Sequence, residues 1–422
     1  MNRRTFLQAS AIAPAALGAT SVAAARAPEI RTRSAEHPRV VTPNGTTLAL
    51  RDVDGVKVGH LVAEAVDHEF APGLRAQCWG YNGGTPGPTI EATEGDRLRL
   101  YVTNRLPEPT TVHWHGLILP NGMDGVAGLN QRPIGVGETF VYEFDLRHAG
   151  TFMYHPHYDE MTQIALGMVG MFIVHPRRPV GPAVDHDFAL MTHEFRLEAG
   201  ARRPDPNAMS DFNVLTFNSR CYPATDPLVV GRGQRVRIRL GNLGPMDHHP
   251  IHIHGLAFTM TATDGGFVPK SAQHPETTVL VPVGSTRVIE MVPTEAGDWA
   301  MHCHMTHHVM TQMGHRMSPM LGADTRRLDR RMRRVAPDVM TMGQTGMGGM
   351  DEMKMPVPRN STPMRGGEGP FSPIDMGGMF TLLKVREDAT TADPAGWHRH
   401  RPGTVATLAD PAAMRRDGIE TK

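Results

Sequence analysis

The sequence predicts an all-β protein built from two β-sandwich domains, and three observations lead to this fold class. Glycine (44 residues) and proline (35 residues) are abundant, while aromatic residues make up only 6% of the chain. Short runs rich in Val, Ile and Thr lie between turn residues, as they do in sandwiches made of many short strands. The main motifs also occur twice, which indicates an internal duplication. A chain of 422 residues has room for about two to three domains of ordinary size.

The overall charge gives no sign of a nucleic-acid or membrane-surface partner. Lys and Arg together number 43, and so do Asp and Glu, so that the formal net charge is zero. No stretch reaches the roughly 20 consecutive apolar residues that a membrane-spanning helix requires. We therefore expect no nucleic-acid partner and no membrane span.

Residues 1–27 are predicted to form a twin-arginine signal peptide. An Arg-Arg pair at positions 3 and 4 precedes a modest apolar region and a group of small residues. A protein exported in this way is periplasmic or secreted, and residues 28–44 would be a loose lead-in to its first domain. In an oxidising compartment Cys78 and Cys221 either form a disulfide or remain separate buried thiols, and the sequence leaves both open.

The first predicted domain spans residues 45–180 and the second spans residues 181–322. In the first, GDRLRLYVTN is followed by HWHG and later by GTFMYHPH. In the second, GQRVRIRLGN is followed by HIHG and later by GDWAMHCH. The same order of strand and histidine motifs, about 140 residues apart, indicates two copies of one folding unit.

Residues 323–422 differ in composition and are predicted to form an irregular extension, partly ordered against the sandwiches. RRLDRRMRRVAPD is a strongly basic run, typical of a solvent-exposed helix. The stretch 340–379 holds nine methionines among glycines and prolines. From Met379, the last residue of this stretch, MFTLLKVRE has the pattern of one last strand.

Eight histidines come in pairs spaced by one residue, which fixes their direction on a strand. Side chains at i and i+2 project from the same face, while the residue between them projects from the other face. Pro156, inside one pair, favours a strand edge or a strand end. The eight imidazoles are thereby able to converge on one place. The pairs are His113 and His115, His155 and His157, His252 and His254, and His302 and His304.

A further set of metal-binding side chains occurs only in the second domain and points elsewhere: His249, Cys303, His308 and Met313. Two imidazoles, one thiolate and a weak axial thioether form the electron-transfer site called blue copper. Zinc is the competing interpretation, but it usually takes CxxC or HxxxH spacings. A single Cys followed by His at +5 and Met at +10 suits copper better.

The motif HCH then has a specific chemical meaning. Cys303 would bind one copper ion, while His302 and His304, which are bonded to it in the chain, bind others. The covalent path from thiolate to imidazole is only a few bonds long. Eight histidines can hold three copper ions at two or three nitrogens each, which leaves positions open for oxygen.

Taken together, HWHG, HPH, HPIHIHG and HCHMTHHVMTQM resemble the motifs of the multicopper oxidase family, which includes laccases and bacterial copper oxidases. The resemblance covers residues from about 75 to 320. It implies two cupredoxin-like Greek-key sandwiches and four copper ions per chain. The implied ligands are His249, Cys303, His308 and Met313 for type 1 copper, His113 and His252 for type 2 copper, and His115, His155, His157, His254, His302 and His304 for the type 3 pair.

The chain has no room for the spacer domain of three-domain family members, so it resembles the two-domain branch. That resemblance implies a homotrimer, with each three-copper cluster lying between domains of neighbouring subunits. Ligands shared across an interface would make assembly and copper loading interdependent.

Acidic residues near the cluster are candidates for proton supply. Asp124 follows HWHG at a place where the family often keeps an acidic residue, and a simple turn aspartate is the equally open alternative. Val309 follows His308 where many family members carry an acid, so the usual second proton route is missing here. Asp159 and Glu160, after HPH, are weaker substitutes.

Several conspicuous residues are expected to be structural. Trp114 and Trp299 should pack in the core next to the sites. The histidines without partners in a motif should form structural hydrogen bonds: His148, His175, His248, His274, His307 and His315.

The sequence therefore predicts a copper-dependent oxidase that takes single electrons from phenolic or aromatic donors or from Cu(I) and reduces dioxygen to water. Because soft thioethers select Cu(I), we hypothesise that residues 340–379 bind or deliver copper ions. The alternative is a periplasmic copper-binding or copper-tolerance protein with incidental oxidase activity. Copper nitrite reductase is nearly excluded, because the first domain has Pro156 where that enzyme needs a cysteine.

Overall fold

Regular structure in the chain is almost entirely β-strand, as predicted. The computed structural model describes residues 37–198, 200–311, 326–335, 359–362, 366–388 and 396–420. The predicted signal peptide, Met313, His315 and most of the methionine-rich stretch lie outside the described residues. No helix within the described ranges is long and apolar enough to cross a membrane.

The first sandwich packs a five-stranded sheet against a three-stranded one. The five-stranded sheet has the order β2-β3-β6-β7, with β4 also paired to β3, and the smaller sheet has the order β5-β9-β8. A core centred on Trp114 lies between the sheets, which confirms the expected position of this residue. The strands are β2 Arg51–Val53, β3 Val56–Ala71, β4 Leu74–Tyr81, β5 Ile90–Thr93, β6 Arg97–Asn104, β7 Thr139–Asp145, β8 Gly150–Tyr154 and β9 Gly170–His175.

The second sandwich packs an eight-stranded sheet against a five-stranded one. The larger sheet has the order β1-β10-β13-β19-β15-β16, with β11 paired to β10 and β17 to β15, and the smaller has the order β12-β21-β20-β14-β18. Trp299 is half-buried and packs against the edge of its core. The strands are β1 Val40–Val41, β10 His186–Phe195, β11 Val214–Phe217, β12 Leu228–Gly231, β13 Val236–Asn242, β14 His249–Ile253, β15 Phe258–Thr263, β16 Gly266–Phe267, β17 Pro275–Glu276, β18 Thr278–Val281, β19 Ser285–Met291, β20 Gly297–Cys303 and β21 Phe380–Arg386.

The internal duplication is visible in the strand pairing. In the first sandwich β6 runs parallel to β3 and antiparallel to β7. In the second, β13 runs parallel to β10 and antiparallel to β19. Along β6, Leu98, Leu100 and Val102 are buried, while the residues between them are exposed or half-buried, as expected for a strand with one face on the core. The matching motifs GDRLRLYVTN and GQRVRIRLGN therefore hold equivalent places in the two units.

Two segments expected to be peripheral contribute strands to the second sandwich. The described part of the lead-in, residues 37–44, is not loose, because its strand β1 pairs in parallel with β10. The predicted last strand, β21, lies between β12 and β20, so the second sandwich includes residues beyond 322. Chain distant in sequence is recruited because β20 would otherwise leave one row of backbone N–H and C=O groups unpaired.

Within the described ranges, helical structure is limited to short segments. Residues Arg326–Val335 of the basic run form helix α2, as predicted, and Arg327, Arg331 and Arg334 are exposed on it. The α-helices are α1 Glu160–Ala165, α2 Arg326–Val335 and α3 Pro411–Arg416, and the 3₁₀-helices are Asn121–Met123, Lys270–Ala272 and Thr306–Val309.

The two sandwiches meet across an interface with a buried apolar cluster. Met153 and Met171 of the first pack with Met191 of the second in one buried cluster. Beside it, Arg239 donates a 2.7 Å hydrogen bond to Oγ1 of Thr151, whose carbonyl accepts another from Thr286. Apolar packing and these polar contacts fix one sandwich against the other within the chain.

All three cysteines are free and buried. Cys78 and Cys221 belong to one apolar cluster where the β3–β4 hairpin packs on the second sandwich. Cys221 donates a 3.3 Å hydrogen bond to the Leu215 carbonyl, and burial raises its pKa to about 12. Of the two possibilities that the sequence left open, the structure has separate buried thiols.

If β21 is an integral strand, removing one of its core side chains should destabilise the protein markedly. Leu383 is fully buried, so Leu383→Ala is expected to lower the free energy of unfolding by about 2–5 kcal/mol. Leu408 is 98% exposed, and the matched change Leu408→Ala should alter it by less than about 0.5 kcal/mol. Urea unfolding followed by tryptophan fluorescence measures both. Equal effects of the two changes would contradict this position for β21.

Candidate metal centres

The end of strand β20 directs three consecutive side chains to two different places. Cys303 is completely buried and faces the interior of the second sandwich. His302 and His304 project from the other face, and their ring centroids are 5.5 Å apart. The register is fixed on both sides, because Ile251 of β14 is the pairing partner of Cys303 and the Cys303 N–H donates to the Met379 carbonyl. The alternation that the HCH motif predicted is therefore present.

The inward-facing thiol meets two imidazoles. Sγ of Cys303 lies 3.4 Å from Nδ1 of His308 and 3.8 Å from Nδ1 of His249. The two Nδ1 atoms are themselves 3.2 Å apart, and all three residues are buried. The donor set is one soft sulfur and two imidazole nitrogens facing a common point, which fits a trigonal His₂Cys copper site. Met313, the predicted axial ligand, lies outside the described residues.

Burial controls the protonation of this centre. It raises the pKa of the Cys303 thiol to about 12, so a bound cation is needed to hold the thiolate at neutral pH. Burial, aided by neighbouring His249, lowers the pKa of His308 to about 4. His308 is therefore neutral, which is the form that binds metal.

Two carboxylates lie behind the centre, and sequence reasoning did not find them. Oε2 of Glu194 is 3.2 Å from Nε2 of His249, and Oδ2 of Asp247 is 3.5 Å from Nε2 of His308. Glu194 is fully buried on β10, whereas Asp247 is partly exposed. A signal was available for Glu194, since a glutamate inside the apolar strand HDFALMTHEF must have a buried partner.

Four histidines of the first sandwich form one group, here called the first quartet. Its members are His113, His115, His155 and His157. The ring of His113 lies 5.3–5.8 Å from the other three rings. Nδ1 of His115 is 3.3 Å from Nε2 of His155. Backbone hydrogen bonds in both directions join residues 113 and 155, which brings the HWHG and HPH motifs together.

Backbone carbonyls select the ring nitrogens that are free to bind metal. Nδ1 of His113 donates to the carbonyl of Asp124 at 2.8 Å, and Nδ1 of His155 donates to the carbonyl of Pro156 at 2.9 Å. A carbonyl only accepts, so each Nδ1 carries the proton and each Nε2 keeps its lone pair. Burial lowers the pKa of His155 to about 3, which keeps that ring neutral.

The second sandwich repeats this arrangement in a second quartet: His252, His254, His302 and His304. Neighbouring rings lie 4.8–5.7 Å apart. Nε2 of His254 is 3.2 Å from Nε2 of His302. Nδ1 of His252 donates to the Thr277 carbonyl at 2.7 Å, and Nδ1 of His302 donates to the Cys303 carbonyl at 2.9 Å. Here too the free lone pairs are on Nε2.

Within one chain the two quartets remain separate. All eight residues are described, and each ring contact among them joins members of the same quartet. His254 and His304 are exposed to solvent, and His252 is only half-buried. The eight imidazoles that the sequence expected to converge therefore do not do so within a single chain.

The acidic candidates differ in their distance from the first quartet. Oδ1 of Asp124 is 3.5 Å from Nδ1 of His113. The Glu160 carboxylate is 3.4 Å from Nδ1 of His155 and 3.7 Å from Nε2 of His157. Asp159 is exposed and precedes helix α1 with a positive φ of 43°. Asp124 and Glu160 therefore reach imidazoles of the first quartet, and Asp159 has a turn role.

The other histidines have structural contacts or face solvent. His175 is buried and 2.8 Å from Glu91, and the exposed His274 lies near Glu276. His248 accepts a hydrogen bond from the Val283 N–H. His307 is exposed, and His148 packs on Phe152.

Comparison with known families agrees with this geometry. Family models described as multicopper oxidase match residues 63–179 and residues 194–320, which together make up more than half of the chain. Among curated relatives, copper resistance protein A of Escherichia coli is 31% identical over 244 residues, covering 46% of this chain and 40% of that protein. A laccase of Phlebia radiata is 31% identical over 235 residues, covering 51% of this chain and 44% of the laccase. The chain thus spans less than half the length of either relative.

Among solved structures, the blue copper oxidase of Nitrosomonas europaea superposes with a TM-score of 0.58 at 24% identity. The match covers 77% of this chain and 85% of that one. The likeness extends to the cupredoxin fold of both sandwiches, so the predicted fold class is confirmed.

If His308 is a ligand and His307 is not, adjacent substitutions should have opposite results. His308→Ala removes one of three donors at the thiolate centre and should abolish the intense blue absorption of the copper-loaded protein. His307→Ala removes an exposed ring and should leave it intact. Visible spectra and copper analysis of the two variants make the comparison. Loss of colour in both, or in neither, would contradict the ligand assignment.

Proposed function

Because the chain belongs to the multicopper oxidase family, we propose that it couples one-electron oxidation of phenolic or aromatic donors, or of Cu(I), to the four-electron reduction of dioxygen to water. The observation that carries this proposal is the divergence of side chains at the end of β20. Cys303 faces two buried imidazoles, while His302 and His304 point the other way and belong to the second quartet. One tripeptide therefore belongs to both candidate centres.

The residues divide between two centres: a type 1 site, and a cluster that combines a type 2 site with a type 3 pair. His249, Cys303 and His308 would hold the type 1 copper, with Met313 as the axial ligand. His113 and His252 would hold the type 2 copper. The type 3 pair would be held by His115, His155, His157, His254, His302 and His304. Copper bound in these sites supplies one-electron redox chemistry at the first centre and dioxygen chemistry at the second.

A homotrimer would complete the second centre. The first quartet and the second quartet each supply about half of the ligands, and His254 and His304 face solvent in a single chain. Exposed apolar side chains accompany both, including Ile118 and Leu129 after HWHG and Met305 beside His304. A heterologous contact between the first sandwich of one chain and the second sandwich of the next would cover both surfaces and close a ring.

Electron donors would approach the outer edge of His308. Its Nε2 is the atom that faces Asp247, and this carboxylate is partly exposed. Two exposed methionines are close in sequence to these residues: Met246 directly precedes Asp247, and Met305 lies three residues before His308. A carboxylate beside a ring nitrogen can accept the phenolic proton as an electron leaves, and carboxylate with thioether can bind Cu(I).

The methionine-rich stretch supports Cu(I) as one donor. In the sequence it lies between the segment that follows β20 and carries His308, here called the ligand loop (residues 304–311), and strand β21. Its C-terminal end is hydrogen-bonded to that loop. Gly377 N–H donates to the Val309 carbonyl and Met379 N–H to the His308 carbonyl. The stretch therefore returns to the proposed point of electron entry.

Protons for dioxygen reduction would come from Asp124 or Glu160, the acids that reach the first quartet. Export through the twin-arginine pathway to the periplasm or the exterior is proposed from the N-terminal Arg-Arg pair and from the apolar region and small residues that follow it. Copper nitrite reductase is disfavoured, because Pro156 stands where its type 1 cysteine would be. Copper sequestration without turnover remains the alternative function.

Oxygen uptake separates catalysis from sequestration. The copper-loaded protein should consume dioxygen with a phenol and with Cu(I), at four electrons per dioxygen and without release of peroxide. Replacing the six methionines from 340 to 355 by leucine leaves Gly377 to Met379 untouched and should lower uptake with Cu(I) severalfold more than uptake with the phenol. Tight binding of many copper ions without turnover would favour sequestration. Equal effects on both donors would contradict copper delivery by these methionines.

Mixing two inactive variants tests the shared cluster. The pair His113→Ala and His115→Ala disables the first quartet, and the pair His252→Ala and His254→Ala disables the second. If each cluster uses the first quartet of one chain and the second quartet of its neighbour, equal mixtures refolded together should regain about one quarter of wild-type activity. The reason is that each of the two quartets at an interface is intact with a chance of about one half, independently of the other. If each cluster lies within one chain, the mixture stays inactive, and the proposed trimeric arrangement is wrong.

A further inference from the structure

A buried carboxylate lies behind the thiolate centre, on the side of His249 that faces away from Cys303. Glu194 is inaccessible to solvent, and its Oε2 is 3.2 Å from Nε2 of His249. Its Oε1 accepts hydrogen bonds of 2.8 Å from the N–H groups of Met246 and Asp247. With Nδ1 of His249 directed at Cys303 as a ligand, Nε2 carries the proton. All three neighbours are then donors, which is the environment of an ionised carboxylate.

This carboxylate has no full counter-charge of its own. Among the residues that the structure describes, His249 is its only ion-pair partner. Asp187, buried to the same degree on the same strand, is paired with two arginines, Arg237 and Arg239. Burying an unpaired carboxylate is costly, so its natural complement is a cation held by the opposite nitrogen of His249.

The backbone is shaped to hold the carboxylate in this position. Gly244 lies directly against it, and a Cβ at residue 244 would be 1.8 Å from Oε2 and 2.6 Å from Oε1 of Glu194. Any side chain at 244 would therefore displace the carboxylate. Gly244 N–H is itself fixed by Oδ1 of Asn242, so the loop cannot easily move away.

The same loop positions the second imidazole. Asp247, whose N–H is bound by Glu194, places its carboxylate 3.5 Å from Nε2 of His308. Asn242 fixes the other side of the loop by donating to the Asp247 carbonyl at 2.9 Å. Glu194 thus touches one ligand ring directly and holds the residue that touches the other.

We propose that Glu194 is a positioning residue that orients His249 and lowers the reduction potential of the type 1 centre. The inference rests on the proposed type 1 copper. Cu(II), one thiolate and the Glu194 carboxylate together have a net charge of zero. Cu(I) with the same two anionic groups has a net charge of −1. In a buried site this difference is weakly screened, so the carboxylate favours the oxidised state.

The test is a redox titration of the blue absorption, which reads the centre without turnover. Glu194→Gln keeps the shape and removes the charge. It should lower the ratio of Cu(II) to Cu(I) at a fixed applied potential at least tenfold, a rise in midpoint of about 59 mV. Glu198→Gln is the matched control, since Glu198 follows shortly after β10 and pairs with the nearby Arg196. Its midpoint should equal that of the wild type.

A blue Glu194→Gln variant with an unchanged midpoint would overturn the inference while leaving the type 1 copper standing. If this variant does not fold, Gly244→Ala decides, because it keeps every charge and displaces the carboxylate. A raised midpoint there supports the role of Glu194, and an unchanged one overturns it. A wild-type protein that lacks the blue absorption would overturn the proposed type 1 centre, and this inference with it.

Discussion

The alternation of side chains along one β-strand is the constraint on which the two candidate centres depend. Because β20 remains extended to its last residue, Cys303 must face the opposite way from His302 and His304. The thiol is buried against His249 of β14 and His308, and the two histidines belong to the second quartet. No hinge or rearrangement is needed to relate the centres, since the backbone that separates them is a fixed part of a sheet.

The rest of the second sandwich keeps that strand in register. Strand β14 pairs on one side of β20 and carries both His249 and His252. Strand β21 pairs on the other side, and the chain just before it forms hydrogen bonds with the loop that carries His308. A long excursion, including the methionine-rich stretch, separates that loop from β21. The segment that carries His308 therefore follows one strand of this sheet and is hydrogen-bonded to the chain that leads into its neighbour.

The sequence predicted the repeated sandwich, its histidine pairs and the inward direction of Cys303, because strand periodicity and motif spacing are local properties. It did not predict that β1 and β21 belong to the second sandwich, since pairing between distant segments leaves no periodic signal. Glu194 and Asp247 were missed for a related reason: each is defined by the ring it faces, not by its neighbours in sequence. The separation of the quartets in one chain also depends on how the two sandwiches pack, and that packing is set by contacts such as Arg239 with Thr151.

In the proposed arrangement the Cys303 thiolate binds one copper ion, while the residues bonded to it in the chain belong to another centre. Copper analysis and visible spectroscopy of Cys303→Ser, compared with Cys78→Ser at a buried thiol outside the centres, test it most directly. Cys303→Ser is expected to lose one copper ion per chain and all blue colour while the quartets retain their copper, and Cys78→Ser is expected to lose neither. A Cys303→Ser protein with its colour and full copper content, or a wild-type protein that carries zinc at this site, would contradict it.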